Sequence, residues 1–130
     1  MRRFVRFVMA GAIGFLIEAV VITWLAVGIG MNVFFARAVS FSIAVTATWA
    51  INRNCAFAGL GQRRKGREYS AYFLVQITGA VINLGVFAAV IAGWPELAAT
   101  PVLPLAIGAI IAMIFNFLAS RHWVFNDRIG

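Results

Sequence analysis

Residues Val8–Val27 read VMAGAIGFLIEAVVITWLAV, an apolar run with a single charged residue, Glu18. About 20 apolar residues in helical conformation cross a bilayer, so this run is predicted to be a transmembrane helix. Three similar runs follow, at about Phe34–Ile51, Ala71–Trp94 and Pro101–Ser120. The sequence therefore predicts an all-α membrane protein, with four spanning helices in one domain that covers residues 1–130.

The composition excludes the common alternatives to a helical membrane protein. Hydrophobic residues make up 63% of the chain and charged residues 12%, whereas soluble domains carry about 25% charged residues. Membrane-spanning strands alternate apolar and polar residues over about 10 positions, and these four runs do not alternate. A helical bundle in the bilayer is the remaining fold class.

The positive charges indicate the orientation of the chain in the membrane. Ten of the eleven Lys and Arg residues lie before the first apolar run, between the second and third, or after the fourth; Arg37 is the exception. By the positive-inside rule, both termini and a basic loop at about residues 52–70 are expected in the cytoplasm. The net charge of +7 is therefore expected to attract membrane lipids, and no nucleic acid is predicted as a partner.

The same helical hairpin is encoded twice. A shift of 65 residues aligns Phe7 with Tyr72, Gly14 with Gly79 and Glu18 with Asn83, and a shift of 68 aligns Thr48 with Asn116 and Asn52 with Ser120. Each copy contains two spans, so both copies insert in one orientation. This predicts a parallel repeat about an axis along the membrane normal, with the basic, Gly-rich segment Gly59–Arg67 as the linker.

Each predicted helix has one less apolar face, because its polar and small residues recur every three or four positions. These faces hold Phe7, Gly11, Gly14 and Glu18; Arg37, Phe41, Ala44, Thr48 and Asn52; Tyr72, Gln76, Gly79 and Asn83; and Ala109, Ala112, Asn116 and Ser120. The glycines and alanines are interpreted as packing positions. The polar members are predicted to line a path for a polar ligand: Glu18, Arg37, Asn83, Asn116, Thr48 and Gln76.

Glu18 requires a partner, because a charge inside the bilayer costs at least about 2.5–3.5 kcal/mol. Arg37 is predicted to reach it directly or through water. The pair is either a polar step in a substrate path or a structural link between two helices, and both interpretations stay open on the sequence.

A short motif closes the second and the fourth run. Residues Ile51–Phe57 read INRNCAF and residues Ala119–Phe125 read ASRHWVF, so each has a small polar residue, an Arg and a later Phe. Arg at a helix C-terminus complements the helix dipole, but its planar fork also binds phosphate bidentately. A phosphate-binding site is predicted at Arg53, Arg121, Asn52 and Ser120. The aromatic residues Phe57, Trp123 and Phe125 are interpreted as anchors at the membrane interface.

No catalytic constellation is present. The four acids are Glu18, Glu68, Glu96 and Asp127, no nucleophile stands beside a base, and His122 is the only histidine. The one cysteine, Cys55, cannot form an internal disulfide. The chain is therefore predicted to be no enzyme and to hold no metal or cofactor.

The segment Phe7–Phe15, the pair Ala36-Arg37 and the two closing motifs resemble the GtrA-like family of small bacterial membrane proteins, over nearly the whole chain. The usual family motif is Asn-x-x-x-Asn-Arg-x-Trp-x-Phe. Its positions hold Asn116, Ser120, Arg121, Trp123 and Phe125 in the second copy, and Thr48, Asn52, Arg53, Cys55 and Phe57 in the first. Glu18 stands where the family commonly has Asn, and Leu105 stands where a second Arg equivalent to Arg37 is expected.

The resemblance implies a multi-pass protein of the bacterial cytoplasmic membrane that acts in cell-surface polysaccharide synthesis. It implies a polyprenyl phosphate, or a sugar linked to one, as the bound partner. Translocation of such a lipid across the membrane is the preferred function. One alternative is a non-transporting subunit that binds polyprenyl phosphate or recruits a membrane glycosyltransferase.

A third, less favoured function is proton-coupled export like that of the small multidrug resistance family, whose members have four short helices and an essential Glu in the first. The one-sided charge distribution argues against it, because dual-topology exporters need balanced loops. Four helices enclose little space, so a homodimer is also compatible with the sequence.

Overall fold

The computed structural model describes residues 1–60, 64–100 and 102–126, and its long elements are four α-helices. They are α1, Arg2–Thr23; α2, Val33–Asn54; α3, Lys65–Gly93; and α4, Val102–Ala119. Shorter turns of helix follow three of them: π-helical turns at Trp24–Gly28 and Ser120–Val124, and a 3₁₀ turn at Pro95–Ala99. No β-strand occurs within the described ranges. All four helices are long and apolar enough to cross a membrane, which confirms the predicted fold class.

The chain forms two compact units, Met1–Gly61 and Gln62–Gly130. In the first unit α1 packs against α2, and in the second α3 packs against α4. We call these units the first and second hairpins. The division of the four helices into two consecutive hairpins agrees with the internal repeat in the sequence.

The helices continue beyond the apolar runs at one end of each hairpin. α1 begins at Arg2 rather than near Val8, and α3 begins at Lys65 rather than near Ala71. Arg, Lys and Glu are good helix formers, so a charged segment next to a span extends the helix. The predicted linker Gly59–Arg67 and the predicted basic loop at residues 52–70 are accordingly too long, because both include helical residues.

The turn between α1 and α2 is set by two residues. Gly30 has a φ of 76°, a left-handed conformation that glycine adopts without a steric penalty. Asn32 then caps α2, since its Oδ1 accepts hydrogen bonds from the main-chain N–H groups of Phe34 (2.9 Å) and Phe35 (3.4 Å). The side chain thus satisfies donors that a helix start leaves free.

Large apolar side chains cover the outside of both hairpins. Among the exposed ones are Phe15, Leu16, Val20, Leu74, Val81, Leu84, Ile110 and Leu118. Many residues buried at the helix contacts are small, such as Ala10, Ala36, Ala44 and Ala112. Small residues inside and large apolar residues outside are the arrangement expected of helices that pack together within lipid.

Candidate functional site

The two hairpins have the same structure at the end where α1 and α3 begin. There, the last residues of α2 and the turn after α4 each close with a main-chain hydrogen bond between residues five apart. Phe57 N donates to Asn52 O (2.8 Å) in the first hairpin, and Phe125 N donates to Ser120 O (2.9 Å) in the second. We call Asn52–Phe57 and Ser120–Phe125, each with the start of the neighbouring helix, the capped ends.

The wide closing turn brings the Phe of each motif back onto the neighbouring helix. Phe57 is fully buried, with its ring centroid 6.0 Å from that of Phe7 and the planes at 67°. Phe125 is likewise buried, 6.1 Å from Tyr72 with an interplanar angle of 59°. Edge-on and tilted aromatic pairs are favourable at these distances. The interpretation of Phe57 and Phe125 as interfacial anchors is therefore wrong; both are core residues, whereas Trp123 is exposed.

The small polar residue of each motif is also buried. Asn52 and Ser120 are shielded almost completely from solvent. Ser120 Oγ has no hydrogen-bond partner among the described residues. Of the polar residues in each motif, the arginine is less buried than Asn52 or Ser120.

The two arginines of the motifs lie at the surface of the capped ends. Arg53 is partly exposed, and its guanidinium lies 5.9 Å from the centroid of the Trp49 ring, within the range of a cation–π contact. Arg121 occupies the equivalent position in the second hairpin and is exposed. Both guanidinium groups therefore keep access to the surroundings of the protein.

Further positive charges surround each capped end. In the first hairpin Arg2, Arg3 and Arg6 lie in the first two turns of α1, and Arg6 Nη1 donates to the main-chain O of Cys55 (3.2 Å). In the second hairpin the exposed cations at the start of α3 are Arg64, Lys65 and Arg67. The one acid at a capped end within the described ranges, Glu68, is buried in the first turn of α3, where it complements the helix dipole. Both capped ends are thus strongly positive.

One glycine of each hairpin lies directly against a side chain of the neighbouring helix. A Cβ atom added to Gly14 would overlap Thr48 Cγ2, and one added to Gly79 would overlap the side-chain amide of Asn116. These four residues occupy equivalent positions in the repeat, so the hairpins pack in the same way at this level. The prediction of packing glycines holds here, but a Cβ atom added to Gly11 would meet no packed neighbour within 4 Å, and Gly11, like Ala109, is exposed.

The polar residues predicted to line a path make their hydrogen bonds within their own hairpin. In the first hairpin, Arg37 Nη1 donates to Glu18 Oε1, so the predicted ion pair is present, and Thr48 Oγ1 donates to Val45 O (3.0 Å). In the second hairpin, Asn116 Nδ2 donates to Gln76 Oε1 (3.4 Å).

Asn83 contacts α4 at Gly108. A Cβ atom added to Gly108 would lie 2.8 Å from Asn83 O, so only glycine allows this approach. Glu18 and Asn83 are equivalent positions of the repeat, as are Arg37 and Leu105. The second hairpin therefore has an uncharged contact where the first has an ion pair.

No group of three His, Cys, Asp or Glu side chains that could hold a metal ion occurs in the part of the chain that the structure describes. The exposed residues of the capped ends offer guanidinium donors instead. Their chemistry suits an anion.

Sequence reasoning did not predict the wide closing turn. Its signal is nevertheless in the sequence, because the polar residue and the Phe are five positions apart in both motifs, at residues 52 and 57 and at residues 120 and 125. A hydrogen bond between residues five apart is rare and often marks functional segments of helices.

Two comparisons with known proteins bear on this site. No curated protein matches the chain. The family model described as GtrA/DPMS, transmembrane domain, matches residues 6–125, a range that includes both hairpins and both closing motifs. The match indicates a multi-pass membrane domain of a kind that is typically non-catalytic, with a role in the translocation or synthesis of lipid-linked sugars. The chain belongs to the GtrA/DPMS transmembrane domain family.

Proposed function

We propose that this protein binds a polyprenyl-phosphate-linked sugar at its capped ends and translocates it across the bacterial cytoplasmic membrane. The lipid phosphate is bound by the arginine of a capped end, Arg53 in the first hairpin or Arg121 in the second. The sugar is contacted by the polar residues between the two helices of that hairpin. The prenyl chain stays in the bilayer, against the exposed apolar faces of the helices.

The observation that carries this proposal is the doubled capped end. Core packing accounts for Phe57 and Phe125, and a closing turn accounts for the spacing of the motif. Neither accounts for an arginine at the same surface position of both hairpins, with further cations beside it. A guanidinium fork in a positive environment at a membrane boundary is the recognition chemistry that a lipid phosphate needs.

A second candidate is a membrane subunit that binds the same lipid for a partner glycosyltransferase and moves nothing. The description of the family as a transmembrane domain favours this candidate, because such a domain can serve an enzyme. Proton-coupled export is less well supported, since Glu18 is engaged by Arg37 rather than isolated as a proton carrier would be.

Native mass spectrometry of the purified protein tests the phosphate site. We expect the Arg53→Ala/Arg121→Ala variant to lose most of the polyprenyl phosphate that co-purifies with the wild type. The Arg64→Ala/Lys65→Ala variant removes the same number of charges at the start of α3. It should lose less lipid than the Arg53→Ala/Arg121→Ala variant, because these cations attract the phosphate without binding it through a guanidinium of the motif. Equal retention by the wild type and the Arg53→Ala/Arg121→Ala variant would exclude the role proposed for the capped ends.

Reconstituted vesicles separate transport from binding. If the protein is a translocase, a polyprenyl-phosphate-linked sugar placed in one leaflet becomes accessible in the other leaflet at a rate that depends on protein. Lipid binding without such movement would reject the translocase and leave the subunit function.

A further inference from the structure

Arg37 is the described cation that lies away from the capped ends. It is in the second turn of α2, whereas Arg53 is in the last turn of the same helix. At 1.5 Å per residue, the two arginines are about 24 Å apart along α2, close to the roughly 30 Å thickness of a hydrocarbon core. The first hairpin therefore presents an arginine near each surface of the membrane.

The guanidinium of Arg37 contacts Glu18, and most of the Arg37 side chain is exposed. Its Nη1 donates to Glu18 Oε1, and the Glu18 side chain is only 16% exposed, while 62% of the Arg37 side chain is exposed. A guanidinium has five N–H donors in a planar fork, and most of these remain available. Donors left unsatisfied within an apolar layer are costly, so a group from outside the described chain is expected to accept them.

Helix packing does not explain the ion pair. The second hairpin has Asn83 and Leu105 at the equivalent positions, yet it repeats the aromatic contact of the capped end and the glycine contact of the helix interface. A partly buried ion pair is weak evidence for stability, because desolvation offsets the attraction. A cation near the N-terminus of α2 is also at the unfavourable end of the helix dipole.

We propose that Arg37, oriented by Glu18, is a second anion site, which binds the phosphate of a membrane lipid at the end of the first hairpin opposite its capped end. Glu18 balances the charge of Arg37 when no lipid is bound and fixes the guanidinium so that its free edge can engage phosphate oxygens. The proposal takes the lipid class, a polyprenyl phosphate, from the proposed function and adds a site for the phosphate at the other membrane surface.

The test measures lipid binding by native mass spectrometry in the Arg53→Ala/Arg121→Ala background, where the capped ends no longer contribute. The probes are a polyprenyl phosphate, the corresponding uncharged polyprenol, phosphatidylglycerol and inorganic phosphate. Glu18→Asn/Arg37→Leu gives the first hairpin the residues that the second hairpin already carries, so the fold is expected to persist. Glu18→Arg/Arg37→Glu keeps an ion pair but moves the guanidinium to the other helix.

We expect both double variants to weaken polyprenyl phosphate binding by roughly tenfold or more, since a charge-assisted hydrogen bond is lost. Polyprenol binding should not change. Glu18→Gln keeps an Oε1 atom that can accept a hydrogen bond from Arg37 and removes the competing negative charge, so this variant should bind at least as tightly as its parent. If the two double variants weaken phosphatidylglycerol binding by the same factor, the anion site is supported and also binds phospholipid headgroups.

Three results would overturn the proposal. One is wild-type-like binding by the charge-swapped variant, which would make the pair purely structural. Another is binding of inorganic phosphate but of neither lipid. The third is a change of oligomeric mass with no change in lipid binding, which would mean that another protein surface covers Arg37. The proposed function is tested separately. It fails if the Arg53→Ala/Arg121→Ala parent retains as much polyprenyl phosphate as the wild type.

Discussion

At the residue scale, each hairpin has a glycine at an equivalent position that lies against a side chain of the neighbouring helix. Gly14 accommodates the methyl group of Thr48, and Gly79 accommodates the amide of Asn116. Without a hydrophobic driving force between helices in lipid, such close packing and interhelical hydrogen bonds supply the association. A single methyl group at either glycine would therefore force Thr48 or Asn116 to move.

Gly14→Ala is expected to destabilise the protein by about 1–3 kcal/mol, as overpacked cores do. Thr48→Ser removes the methyl group that the new Cβ would strike, so the double variant should recover much of the loss. Thermal or denaturant unfolding in detergent measures both effects. Gly11→Ala is the matched control on the same helix, because the space around Gly11 is open; equal destabilisation by both alanines would contradict the packing account.

The sequence predicted some of these residue contacts and missed others for physical reasons. The Glu18–Arg37 pair was predictable, because an unpaired charge in the membrane is too costly. The burial of Phe57 and Phe125 was not, because an aromatic residue at a span boundary suits the interface and the core equally. The main-chain hydrogen bond between residues five apart turns each Phe ring towards the neighbouring helix, and the sequence pattern alone does not show this bond.

At the element scale, the ends of the helices are set by local chemistry rather than by the apolar runs. Asn32 defines the start of α2 through its side-chain cap. The starts of α1 and α3 lie among charged residues with high helix propensity, so hydropathy alone placed them too late. The long apolar centres were predictable because a bilayer sets their length.

Loss of the cap should destabilise α2. We expect Asn32→Ala to cost about 1 kcal/mol, because the N–H groups of Phe34 and Phe35 lose their acceptor, whereas Asn32→Asp should be close to the wild type. Unfolding of the two variants in detergent provides the comparison. If Asn32→Ala and Asn32→Asp are equally stable, the side-chain oxygen does not stabilise this helix start.

At the scale of the whole molecule, the protein is a doubled hairpin with unequal halves. The halves share the closing turn, the aromatic pair and the glycine contact. The Glu18–Arg37 ion pair of the first half has the uncharged residues Asn83 and Leu105 at the equivalent positions of the second. Hairpin pairing was predictable from the repeat, because equivalent helices bury equivalent residues. The division of roles between the halves was not, since the sequence alone does not show which polar residues meet.

The predicted orientation places the capped ends in the cytoplasm, and Cys55 offers a direct test because it is exposed and is the only cysteine. A membrane-impermeant maleimide should label Cys55 in inverted vesicles but not in intact cells. Cys55→Ser/Thr100→Cys moves the thiol to the turn after α3, and this variant should be labelled from outside the cell. The reverse labelling pattern would show that the chain inserts the other way round.

The closing turn of each hairpin has one more consequence, which concerns chain length. Between the polar residue and the Phe, one hairpin has Arg53-Asn54-Cys55-Ala56 and the other has Arg121-His122-Trp123-Val124. Apart from the arginine, these segments differ in every residue. Their lengths are the same, because the main-chain hydrogen bond joins residues five positions apart in both hairpins. This stretch should tolerate substitution at Asn54 or His122, while the deletion of either codon would misplace a core aromatic ring.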